Sequence, residues 1–420
     1  MNKIEELIQQ YCPNGVEFTE IGKIGDFYGG LTGKSKNDFQ DGNAKFVTYM
    51  NVFSNIAVKT DIDIFVKIGE KENQNRVEYG DVLFTGSSET PDECGMSSVL
   101  TEKITEPLYL NSFCFGFRLH DKELFLPDFL KYLFRDDSIR KQIGQTASGV
   151  TRFNISKKRF AKVIIPIPPI AVQQEIAYIL DSFTQLEAEL EAELEARKKQ
   201  YEYYRNKLLT PVEENGKWMM NGEEVEWKDI ESICNHITSG GTPLSTNPAY
   251  YNGSIPWLRT QEVDWVDIYD TGIKISDEGL KNSSAKWIPV NCVIVAMYGA
   301  TAAKVGINKI PLTTNQACCN LDINPELANY RFVFHWLSKE YLTLKSLGEG
   351  SQSNINAKKV RKYPVPIPSL SEQEKIVSIL DKFDSLVNDI SIGLPAEIEA
   401  RRKQYEYYRG ILLDFKPISN

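Results

Sequence analysis

The sequence predicts an α+β protein made of two similar modules, each of which ends in a long helix. The main observation is a duplicated segment, since Arg197-Lys-Lys-Gln-Tyr-Glu-Tyr-Tyr-Arg205 returns almost unchanged as Arg401-Arg-Lys-Gln-Tyr-Glu-Tyr-Tyr-Arg409. In addition, short apolar runs alternate with Gly, Asn, Asp and Pro turns ahead of each copy. Apolar residues at helical spacing then lead into each copy. The chain is therefore predicted to be an internal duplication.

The duplication extends well upstream of these segments. Residues 166–181 align with residues 366–381, and both stretches begin Pro-Ile-Pro and end Ile-Leu-Asp. Asn154 aligns with Asn354 at the same offset of 200. The weaker matches further upstream are Gly29–Gly30 with Gly240–Gly241, Asn111 with Asn315, and residues 16–18 with residues 225–227. A repeat of about 210 residues is far longer than the period of about 20–50 that is typical of solenoids and propellers. Each module is therefore a variable body followed by a shared tail.

Each body is predicted to combine short strands with one late helical stretch. The predicted strands include Lys45–Tyr49, Asp81–Phe84 and Asn291–Ala296, and the predicted helical stretches are Asp128–Ile143 and Tyr330–Leu347. The predicted division of the chain is a first body at residues 1–160, a first tail at 161–212, a second body at 213–360 and a second tail at 361–420.

Each tail is predicted to be a long helix. Prolines at 166, 168 and 169, and at 364, 366 and 368, exclude an earlier start, and Ser371-x-x-Glu374 has the capping-box pattern. From Ala171 to Leu209 a continuous helix would measure about 58 Å at about 1.5 Å per residue. A long helix with a one-sided stripe needs a partner, so the two tails are expected to pair like a coiled coil. The residues assigned to this pairing are Leu186, Leu190, Leu194, Tyr201, Tyr204, Tyr405 and Tyr408.

The first tail contains a repeated four-residue unit, Leu-Glu-Ala-Glu, which starts at Leu186 and again at Leu190. Four residues turn a helix by about 400°, so one added or lost unit rotates the rest of the helix by only about 40°. The second tail instead contains Gly393-Leu-Pro395, which is expected to kink or restart the helix.

Composition limits the class of protein. No apolar run approaches the roughly 20 residues that span a bilayer, and the first residues lack a signal-peptide pattern. Seven scattered cysteines without a Cys-x-x-Cys spacing favour a reducing cytoplasm, and three isolated histidines give no metal-ligand spacing. A cytoplasmic protein without a metal site is therefore expected.

Basic residues are clustered although the net charge is −9. No acidic residue lies between Asp137 and Glu175, or between Gly350 and Ser371. These windows occupy equivalent places in the two modules and predict paired anion-binding patches, with an ordinary solvated surface as the alternative. Their basic residues are Arg140, Lys141, Arg152, Lys157, Lys158, Arg159 and Lys162 in the first, and Lys358, Lys359, Arg361 and Lys362 in the second.

Two segments of the chain are close to known catalytic motifs, but each lacks a residue that the motif requires. In Tyr28-Gly-Gly-Leu-Thr-Gly-Lys-Ser35 a tyrosine stands where a phosphate-binding loop needs its first glycine. Asn247-Pro-Ala-Tyr250 is close to the Asn-Pro-Pro-Tyr of amino-methyltransferases, but Ala249 replaces the second proline and no Gly-rich loop precedes it. No catalytic residue is therefore assigned.

Taken together, the chain resembles the specificity subunit of type I DNA restriction–modification enzymes. The resemblance covers the whole length: a body, a Pro-rich entry into a helix, the Tyr-Glu-Tyr-Tyr-Arg exit, and then the same order again. In the second body, Ser239-Gly-Gly-Thr-Pro243, Asn247-Pro-Ala-Tyr-Tyr251 and Ile255-Pro-Trp-Leu258 are similar to a segment typical of these subunits. The first body departs from this pattern at Gly30-Leu-Thr32.

The resemblance implies a subunit without catalytic chemistry of its own. Each body would be a target recognition domain that reads half of a split double-stranded DNA sequence. The tails would pack antiparallel as a coiled-coil-like spacer and dock two modification subunits, which carry S-adenosylmethionine and methylate adenine. Restriction subunits that consume ATP would join this complex.

The residues assigned to DNA binding lie in the basic windows and in the polar turns of each body. Those assigned to the phosphates are Arg152, Asn154, Lys157, Lys158, Arg159, Gln352, Asn354, Lys358, Lys359 and Arg361. Those assigned to base edges are Arg259, Gln261 and Gln316, and the turn residues included with them are Thr32, Lys34 and Thr242.

Two other interpretations compete with this one. The first is a two-headed coiled-coil scaffold that binds a ligand other than DNA, and the second is a self-contained methyltransferase or nuclease. Under the DNA interpretation the four-residue unit acts as a ruler, because about 40° is close to the rotation of about 34–36° per base pair of B-DNA.

Overall fold

The structure, a computed structural model, describes residues 3–348, 354–389 and 392–418. Its internal contacts divide the chain into two compact units. Unit 1 comprises Met1–Glu191 and Ile398–Asn420, and unit 2 comprises Ala192–Glu397. Each unit therefore holds one body and part of both tails. The predicted division instead cut the chain into four consecutive segments.

The helices are short in the bodies and long in the tails. They are α1 (Lys3–Tyr11), α2 (Tyr49–Ser54), α3 (Pro127–Leu133), α4 (Asp137–Thr146), α5 (Lys157–Phe160), α6 (Ile170–Leu209), α7 (Asp277–Lys281), α8 (Tyr330–Lys339), α9 (Tyr341–Ser346), α10 (Ala357–Arg361), α11 (Leu370–Asn388) and α12 (Leu394–Leu412). Single 3₁₀ turns lie at Ile21–Lys23, Lys36–Phe39, Ile230–Ile233, Pro248–Tyr251 and Thr260–Glu262.

The strands are short throughout. In unit 1 they are β1 (Glu17–Glu20), β2 (Gly25–Gly29), β3 (Ala44–Val47), β4 (Phe65–Val66), β5 (Val82–Thr85), β6 (Ser87–Ser88), β7 (Ser97–Val99), β8 (Leu108–Leu110), β9 (Cys114–Leu119), β10 (Ala147–Ser148), β11 (Phe153–Ile155) and β12 (Ile164–Ile167). In unit 2 they are β13 (Val212–Glu214), β14 (Lys217–Met220), β15 (Glu223–Glu224), β16 (Glu226–Asp229), β17 (Cys234–Ser239), β18 (Ile255–Leu258), β19 (Asp267–Ile268), β20 (Lys274–Ile275), β21 (Trp287–Ile288), β22 (Val293–Ala296), β23 (Val305–Asn308), β24 (Leu312–Thr314), β25 (Cys318–Ile323) and β26 (Pro364–Ile367).

The two bodies share one sheet topology, which confirms the predicted pair of similar α+β domains. The main sheet has the antiparallel order β2-β9-β5-β7 in unit 1 and β17-β25-β22-β23 in unit 2, where β19 adds to the edge in parallel. A second sheet pairs β3 with β8 and β18 with β24, both in parallel. A ribbon of β1 with β12, or of β16 with β26, joins the start of each body to its end.

Hydrogen bonds show which residues of the two bodies are equivalent. The Asn111 N–H donates to the carbonyl of the last residue of β3, and the Asn315 N–H donates to the carbonyl of the last residue of β18, each at 2.9 Å. Both asparagines follow the parallel strand of the second sheet. The predicted pairing of Asn111 with Asn315 is therefore confirmed.

The glycines at the end of the first sheet strand align differently from the prediction. The Leu31 N–H donates to the last residue of β8 at 2.7 Å, and the Gly241 N–H donates to the last residue of β24 at 2.9 Å. Gly30 is therefore equivalent to Gly240, and the predicted alignment of Gly29 with Gly240 is wrong by one residue. At both positions a Cβ would collide with the backbone of the neighbouring turn, so glycine is required there. In unit 2 the next residue, Gly241, is required as well, because its Cβ would collide with the backbone of Ser284 and Ala285.

The cores lie between the main sheet and the late helices of each body. In unit 1 the core is aromatic: the ring of Phe84 lies 4.9 Å from Phe160, 5.2 Å from Phe134 and 5.4 Å from Phe115 between centroids. In unit 2 strands β22 and β25 contribute aliphatic side chains that pack with α8. Each buried side chain of this size contributes about 1.5–3 kcal/mol, so this packing holds the sheet and the late helices together.

The late helical stretches are interrupted where one helix was predicted. Residues 128–143 form α3 and α4, because the Asp136 side chain accepts the Ser138 N–H at 2.9 Å and caps a new helix. Residues 330–347 likewise divide into α8 and α9.

A repeated glutamine fixes the start of each tail to its body. The buried Gln173 amide donates to the Leu124 carbonyl (3.0 Å) and the Pro168 carbonyl (2.8 Å), and its oxygen accepts the Leu126 N–H at 2.9 Å. Gln373 repeats the arrangement, with the Asn329 N–H as its donor at 2.8 Å. These hydrogen bonds join a buried side chain of the tail to the backbone of the body. The glutamine therefore holds the start of the helix in place.

The cap of the second tail lies two residues before the predicted one. Ser369, and not Ser371, accepts an N–H of the first turn, from Glu372 at 3.2 Å. Pro368 is the last proline of the entry segment, so no proline prevents a helix from beginning after Ser369. The predicted capping box at Ser371-x-x-Glu374 is therefore wrong.

In unit 1 the first half of α6 packs against α12 in antiparallel orientation. The Phe183 ring stacks on the Tyr408 ring at 5.4 Å, and Arg402 pairs with Glu187 and Glu191 one and two turns further along α6, at 2.5 Å each. Positions that ascend in α6 therefore meet positions that descend in α12. This confirms the predicted antiparallel pairing of the tails.

In unit 2 the second half of α6 packs against α11. The rings of Tyr201 and Tyr204 lie 6.3 Å and 5.4 Å from the ring of Phe383, and Leu194 packs against the core of the same unit. The second tail is divided into α11 and α12 at the predicted Gly393-Leu-Pro395, whereas α6 is continuous over 40 residues. Among the described residues, no helix has both the length and the apolar character required to cross a bilayer.

Candidate nucleic-acid interface

In unit 1 the predicted polar segments meet at one end of the main sheet. The turn after β2 passes against Asn111, and Phe113, which lies just beyond this asparagine, is 57% exposed. The Gly86 N–H donates to the Phe113 carbonyl at 2.8 Å, and the Ile155 N–H donates to the Gly86 carbonyl at 3.0 Å. Loops that are far apart in sequence therefore form one surface at this end.

A cleft of about 430 Å³ opens at this surface. Arg152 lies on its rim, where the guanidinium stacks 5.5 Å above the exposed Phe113 ring and Nε donates to Ser87 Oγ at 3.2 Å. Asn154 follows in β11, opposite Ser87, with an exposed side chain. Arg152 and Asn154 therefore both lie at this surface.

Helix α5 presents the remaining predicted cations of unit 1. The amine of Lys157 lies 5.4 Å above the Phe115 ring, and Arg159 donates to the Ala147 carbonyl at 3.4 Å. Lys157, Lys158 and Arg159 are all at least partly exposed, and the Ser156 side chain caps the helix. The helix is fixed by its buried Phe160, so the cations project from a rigid base.

Thr32 and Lys34 lie in the turn after β2 but differ in availability. The Gln74 amide clamps the Thr32 backbone at both N–H (3.1 Å) and carbonyl (2.8 Å), which leaves the hydroxyl exposed. The Lys34 side chain is only 8% exposed, and its amine donates to the Lys67 carbonyl (2.5 Å) and to Glu72 (2.6 Å). The Gly69 N–H and the Lys34 amine lower the pKa of the Glu72 carboxyl to about 2, so this ion pair persists at neutral pH.

In unit 2 the Gly-Thr-Pro loop is held by two aromatic side chains. The Trp257 indole donates to the Gly241 carbonyl at 2.9 Å, and the Tyr251 hydroxyl donates to the Pro243 carbonyl at 2.5 Å. Their rings meet edge to face at 5.8 Å. These contacts explain why three characteristic segments of the second body, residues 239–243, 247–251 and 255–258, occur together: they form one rigid corner.

Asn247 has a structural role in that corner. Its side chain accepts the Ala249 N–H at 3.2 Å and caps the 3₁₀ turn Pro248–Tyr251. The Asn-Pro-Ala-Tyr segment is therefore a capped turn, in which the asparagine side chain is already engaged.

The corner places Thr242 beside Gln316, and the Thr242 hydroxyl donates to the Gln316 amide oxygen. Arg259 and the exposed Gln261 lie in the adjacent 3₁₀ turn, where the Arg259 side chain is half-buried and within 3.9 Å of Glu262. Thr242, Gln316, Arg259 and Gln261 thus meet at the end of the main sheet that is equivalent to the cleft surface of unit 1.

The basic window of unit 2 surrounds α10 and is partly engaged within the protein. The Asn354 side chain accepts the Gly299 N–H at 3.4 Å, Lys359 donates to the Leu347 carbonyl at 2.6 Å, and Arg361 donates to the Ile237 carbonyl at 2.8 Å. Lys358 is exposed on the same helix. Gln352, which was also assigned to the phosphates, lies outside the described residues.

The sequence prediction misplaced Arg140 and overlooked Arg135. Arg140 is not a surface cation, since its guanidinium donates to the carbonyls of Asp92 (2.6 Å), Cys94 (2.7 Å) and Gly95 (2.5 Å). Arg135 is likewise half-buried and donates to the carbonyls of Ser97, Val52, Phe53 and Asn55 at 2.6–3.3 Å. Burial lowers the pKa of both guanidinium groups to about 10, which leaves them charged at neutral pH. A sequence shows charge but not burial, so neither role was visible in it.

The tail residues predicted to pair do lie on the paired face. Leu186, Leu190, Tyr204, Tyr405 and Tyr408 are half-buried, and Tyr201 is buried with its hydroxyl 3.4 Å from His335 Nδ1. The last arginine of each copy stacks on the tyrosine one turn earlier, Arg205 on Tyr201 and Arg409 on Tyr405, at 5.3 and 5.7 Å. The duplicated Tyr-x-x-x-Arg spacing thus serves helix packing, and the rings of Tyr201 and Tyr405 are covered by this packing.

Within the described residues, no group of three or more His, Cys, Asp or Glu side chains is arranged to hold a metal ion. The cysteines of both units are unpaired thiols, and burial raises the pKa of the Cys234, Cys292 and Cys319 thiols to about 12. These three thiols are therefore protonated at neutral pH.

Comparison with known proteins gives a consistent result. The family model described as "Type I restriction modification DNA specificity domain" matches residues 13–196 and again residues 222–400. The Escherichia coli type I restriction enzyme EcoR124I/EcoR124II specificity subunit is 38% identical over 274 residues, which cover 62% of this chain and 64% of that protein. This chain therefore spans slightly less than two thirds of that relative.

Two solved structures are similar over nearly their full lengths. A chain from a structure of complex assembly and conformational transition of the type I R-M system has a TM-score of 0.64 at 15% identity, and the match covers 96% of this chain and 98% of that chain. The type I restriction-modification S subunit of M. genitalium has a TM-score of 0.57 at 15% identity, with coverage of 96% and 97%. At this identity the likeness is one of fold.

Proposed function

The chain belongs to the family of type I restriction modification DNA specificity domains, and we propose that it reads a split double-stranded DNA target for such an enzyme. The observation that carries the proposal is that the family model matches twice, once for each body, and that each unit presents polar loops at the same end of the same sheet. Each unit would then read one half of the target.

The loops of the two units carry different side chains, as expected if each unit recognises a different DNA sequence. Unit 1 presents an arginine on an aromatic ring beside acidic side chains, whereas unit 2 presents amide and hydroxyl groups around Gln316. Arg, Gln and Glu are the side chains that distinguish base pairs in the major groove. Exposed lysines on α5 and α10 would contact the phosphates and supply affinity without sequence preference.

The chain would contribute recognition and no chemistry. The catalytic motifs are incomplete, and the Asn247 side chain that most resembles one is occupied as a cap. S-adenosylmethionine would be held by modification subunits that methylate adenine, and ATP by restriction subunits. All of these would meet the chain in the cytoplasm, where the DNA lies.

The tails would dock the modification subunits. Their paired faces are occupied by packed side chains, but their opposite faces expose charged residues and rings such as Tyr203 and Tyr407, at 60% and 65% exposure. The duplication places the same exposed residues in both copies, so two identical partners could bind in equivalent ways.

The test is to assemble the chain with its modification subunits and to sequence the methylated adenines in genomic DNA. The expected result is a motif of two short sequences separated by an unread gap of fixed length. Modification subunits without the chain are the control and should methylate no defined motif. A continuous motif, or methylation without the chain, would contradict the proposal. Binding of S-adenosylmethionine by the isolated chain in calorimetry would favour a self-contained methyltransferase instead.

A further inference from the structure

The cleft of unit 1 has a chemical character that the phosphate-binding role does not explain. It is lined by Tyr49, Met50, Ser87, Glu89, Glu93 and Arg152. Two carboxylates here lie on the surface that would face a polyanion. A carboxylate repels a phosphate, so on such a surface a carboxylate that has no partner within the protein is suited to accept hydrogen bonds from a base edge.

The walls of the cleft are held rigidly. The Tyr49 hydroxyl donates to the Ser87 carbonyl at 2.8 Å and ties α2 to the opposite wall. The Glu93 carboxylate accepts the hydroxyls of Ser88 (3.1 Å) and Thr90 (2.9 Å), which fixes the turn that carries Glu89. A preorganised wall discriminates between ligands better than a mobile one, because no ordering cost is incurred on binding.

The two half-buried arginines, Arg135 and Arg140, support these walls from behind. Arg135 donates to the last carbonyls of α2, and Arg140 donates to three carbonyls of the 92–95 turn, which adjoins Glu89 and Glu93. Each guanidinium thereby ties several backbone carbonyls of one wall to the body. Arg135 and Arg140 are therefore positioning residues for the cleft.

A free donor and a free acceptor line the same cleft. Arg152 uses only Nε for its bond to Ser87, so within the described residues its Nη atoms have no hydrogen-bond partner. Glu89 is exposed and likewise has no partner in the part of the chain that the structure describes. The two side chains do not form an ion pair with each other, which leaves both for a ligand.

We infer that this cleft reads a C·G base pair, with Arg152 donating to guanine and Glu89 accepting from cytosine. In the major groove guanine presents the O6 and N7 acceptors and cytosine presents the N4 amino donor, side by side in one pair. An arginine fork matches the first and a carboxylate matches the second. The inference rests on the proposed function, and it gives Arg152 a base contact in place of the phosphate contact predicted from sequence.

The test uses the chain assembled with its modification subunits and compares the methylated motifs of Glu89→Ala and Arg152→Ala with the wild type. Both variants are expected to relax the same single position, which is C·G in the wild-type motif, and to reduce the preference for that pair by about 5- to 150-fold. Glu123→Ala, at an exposed glutamate of unit 1 away from the cleft, is the matched control and should leave the motif unchanged. Thermal unfolding of each variant shows whether the fold is retained.

The outcomes separate the inference from the proposed function. A wild-type split motif that is unchanged in both variants, that relaxes at two different positions, or that contains no C·G pair at the affected position would overturn the inference alone. A wild-type complex that methylates no split motif would overturn the proposed function and the inference with it.

Discussion

At the scale of single residues, the most informative side chains are those that repeat in both copies and are buried. Gln173 and Gln373 each make hydrogen bonds with two sides of the junction between a body and its tail. Their duplication was visible in the sequence, but their role was not, because a glutamine at the start of a helix is ordinarily a surface residue.

Replacing Gln173 with leucine should lower the free energy of unfolding by about 1–3 kcal/mol, since the Leu126 N–H would lose its buried acceptor. The neighbouring Gln174 is exposed, so Gln174→Leu is the matched control and should change stability by less than about 0.5 kcal/mol. Chemical denaturation of both variants checks this. Equal effects of the two substitutions would show that Gln173 does not clamp the helix to its body.

His335 provides a prediction about pH. It is fully buried, Nε2 lies 2.6 Å from Asp381, and Arg331, Asp384 and the Tyr201 hydroxyl also face it. Burial lowers the pKa of this histidine below its usual value of about 6.5. The unfolded chain therefore binds this proton more readily than the folded one, and stability should fall as the pH drops below about 6.5.

The measurement is the melting temperature of wild type and His335→Gln at about pH 7.5 and about pH 5.5, on either side of the pKa of an unfolded histidine. The wild type should lose more stability between these values than the variant, whatever the variant costs at the higher pH. Asp381, whose pKa is also lowered, titrates below this window and should not contribute. Parallel pH dependence in the two proteins would rule out His335 as the cause.

At the scale of elements, the tails combine helix pairing with anchoring to the bodies. Tyr201 is 7% exposed and contacts both Phe383 and His335, whereas Tyr203 in the same duplicated segment is 60% exposed. Periodicity in the sequence identified the buried face correctly, because a helix buries side chains three and four residues apart.

Tyr201→Ala should therefore destabilise unit 2 by about 3 kcal/mol, while Tyr203→Ala should cost less than about 1 kcal/mol. Denaturant titration monitored by tryptophan fluorescence is suitable, because unit 2 contains Trp227 and Trp336 in or against its core. If the exposed tyrosine proved as costly to remove as the buried one, the assignment of the paired face would be incorrect.

Helix α10 allows a test of the phosphate contacts within one element. Lys358→Gln in the assembled complex should weaken binding to all sequences alike and lower the slope of log affinity against log salt by about 1, because one phosphate contact is lost. Lys362, at the end of the same helix, is already paired with Asp229 (3.1 Å) and Glu231 (2.6 Å). Lys362→Gln is therefore the matched control and should leave the salt slope unchanged. A slope that falls in Lys362→Gln and not in Lys358→Gln would show that Lys358 does not contact a phosphate.

At the scale of the whole molecule, the duplication produces units that are not contiguous in sequence. The boundary between unit 1 and unit 2 falls inside α6, between Glu191 and Ala192, and a second boundary falls inside α12. The repeated Leu-Glu-Ala-Glu segment of α6 lies at the first of these boundaries. The repeated segment is therefore shared between the two units, and its length is not a property of either unit alone.

Deleting Leu190–Glu193 removes one four-residue unit and rotates the rest of the helix by about 40°, close to one base pair of B-DNA. The expected result is a target whose unread gap is shorter by about one or two base pairs and whose half-sites are unchanged. Sequencing the methylated adenines of the assembled variant measures both properties. An altered half-site with an unchanged gap would contradict the hypothesis that this segment sets the length of the gap.

The sequence by itself determined the duplication, the α+β class, the tail helices and the face on which they pair, because these depend on repetition and on periodicity along the chain. Only the tertiary structure decided which charges reach the surface. Arg140 and Lys34 look like free cations in the sequence, but carbonyls and a carboxylate from distant segments surround them. The cleft of unit 1 was also beyond the sequence, since Tyr49, Glu89 and Arg152 meet only after the sheet has brought three loops to one edge, and nothing in their local spacing requires that they do.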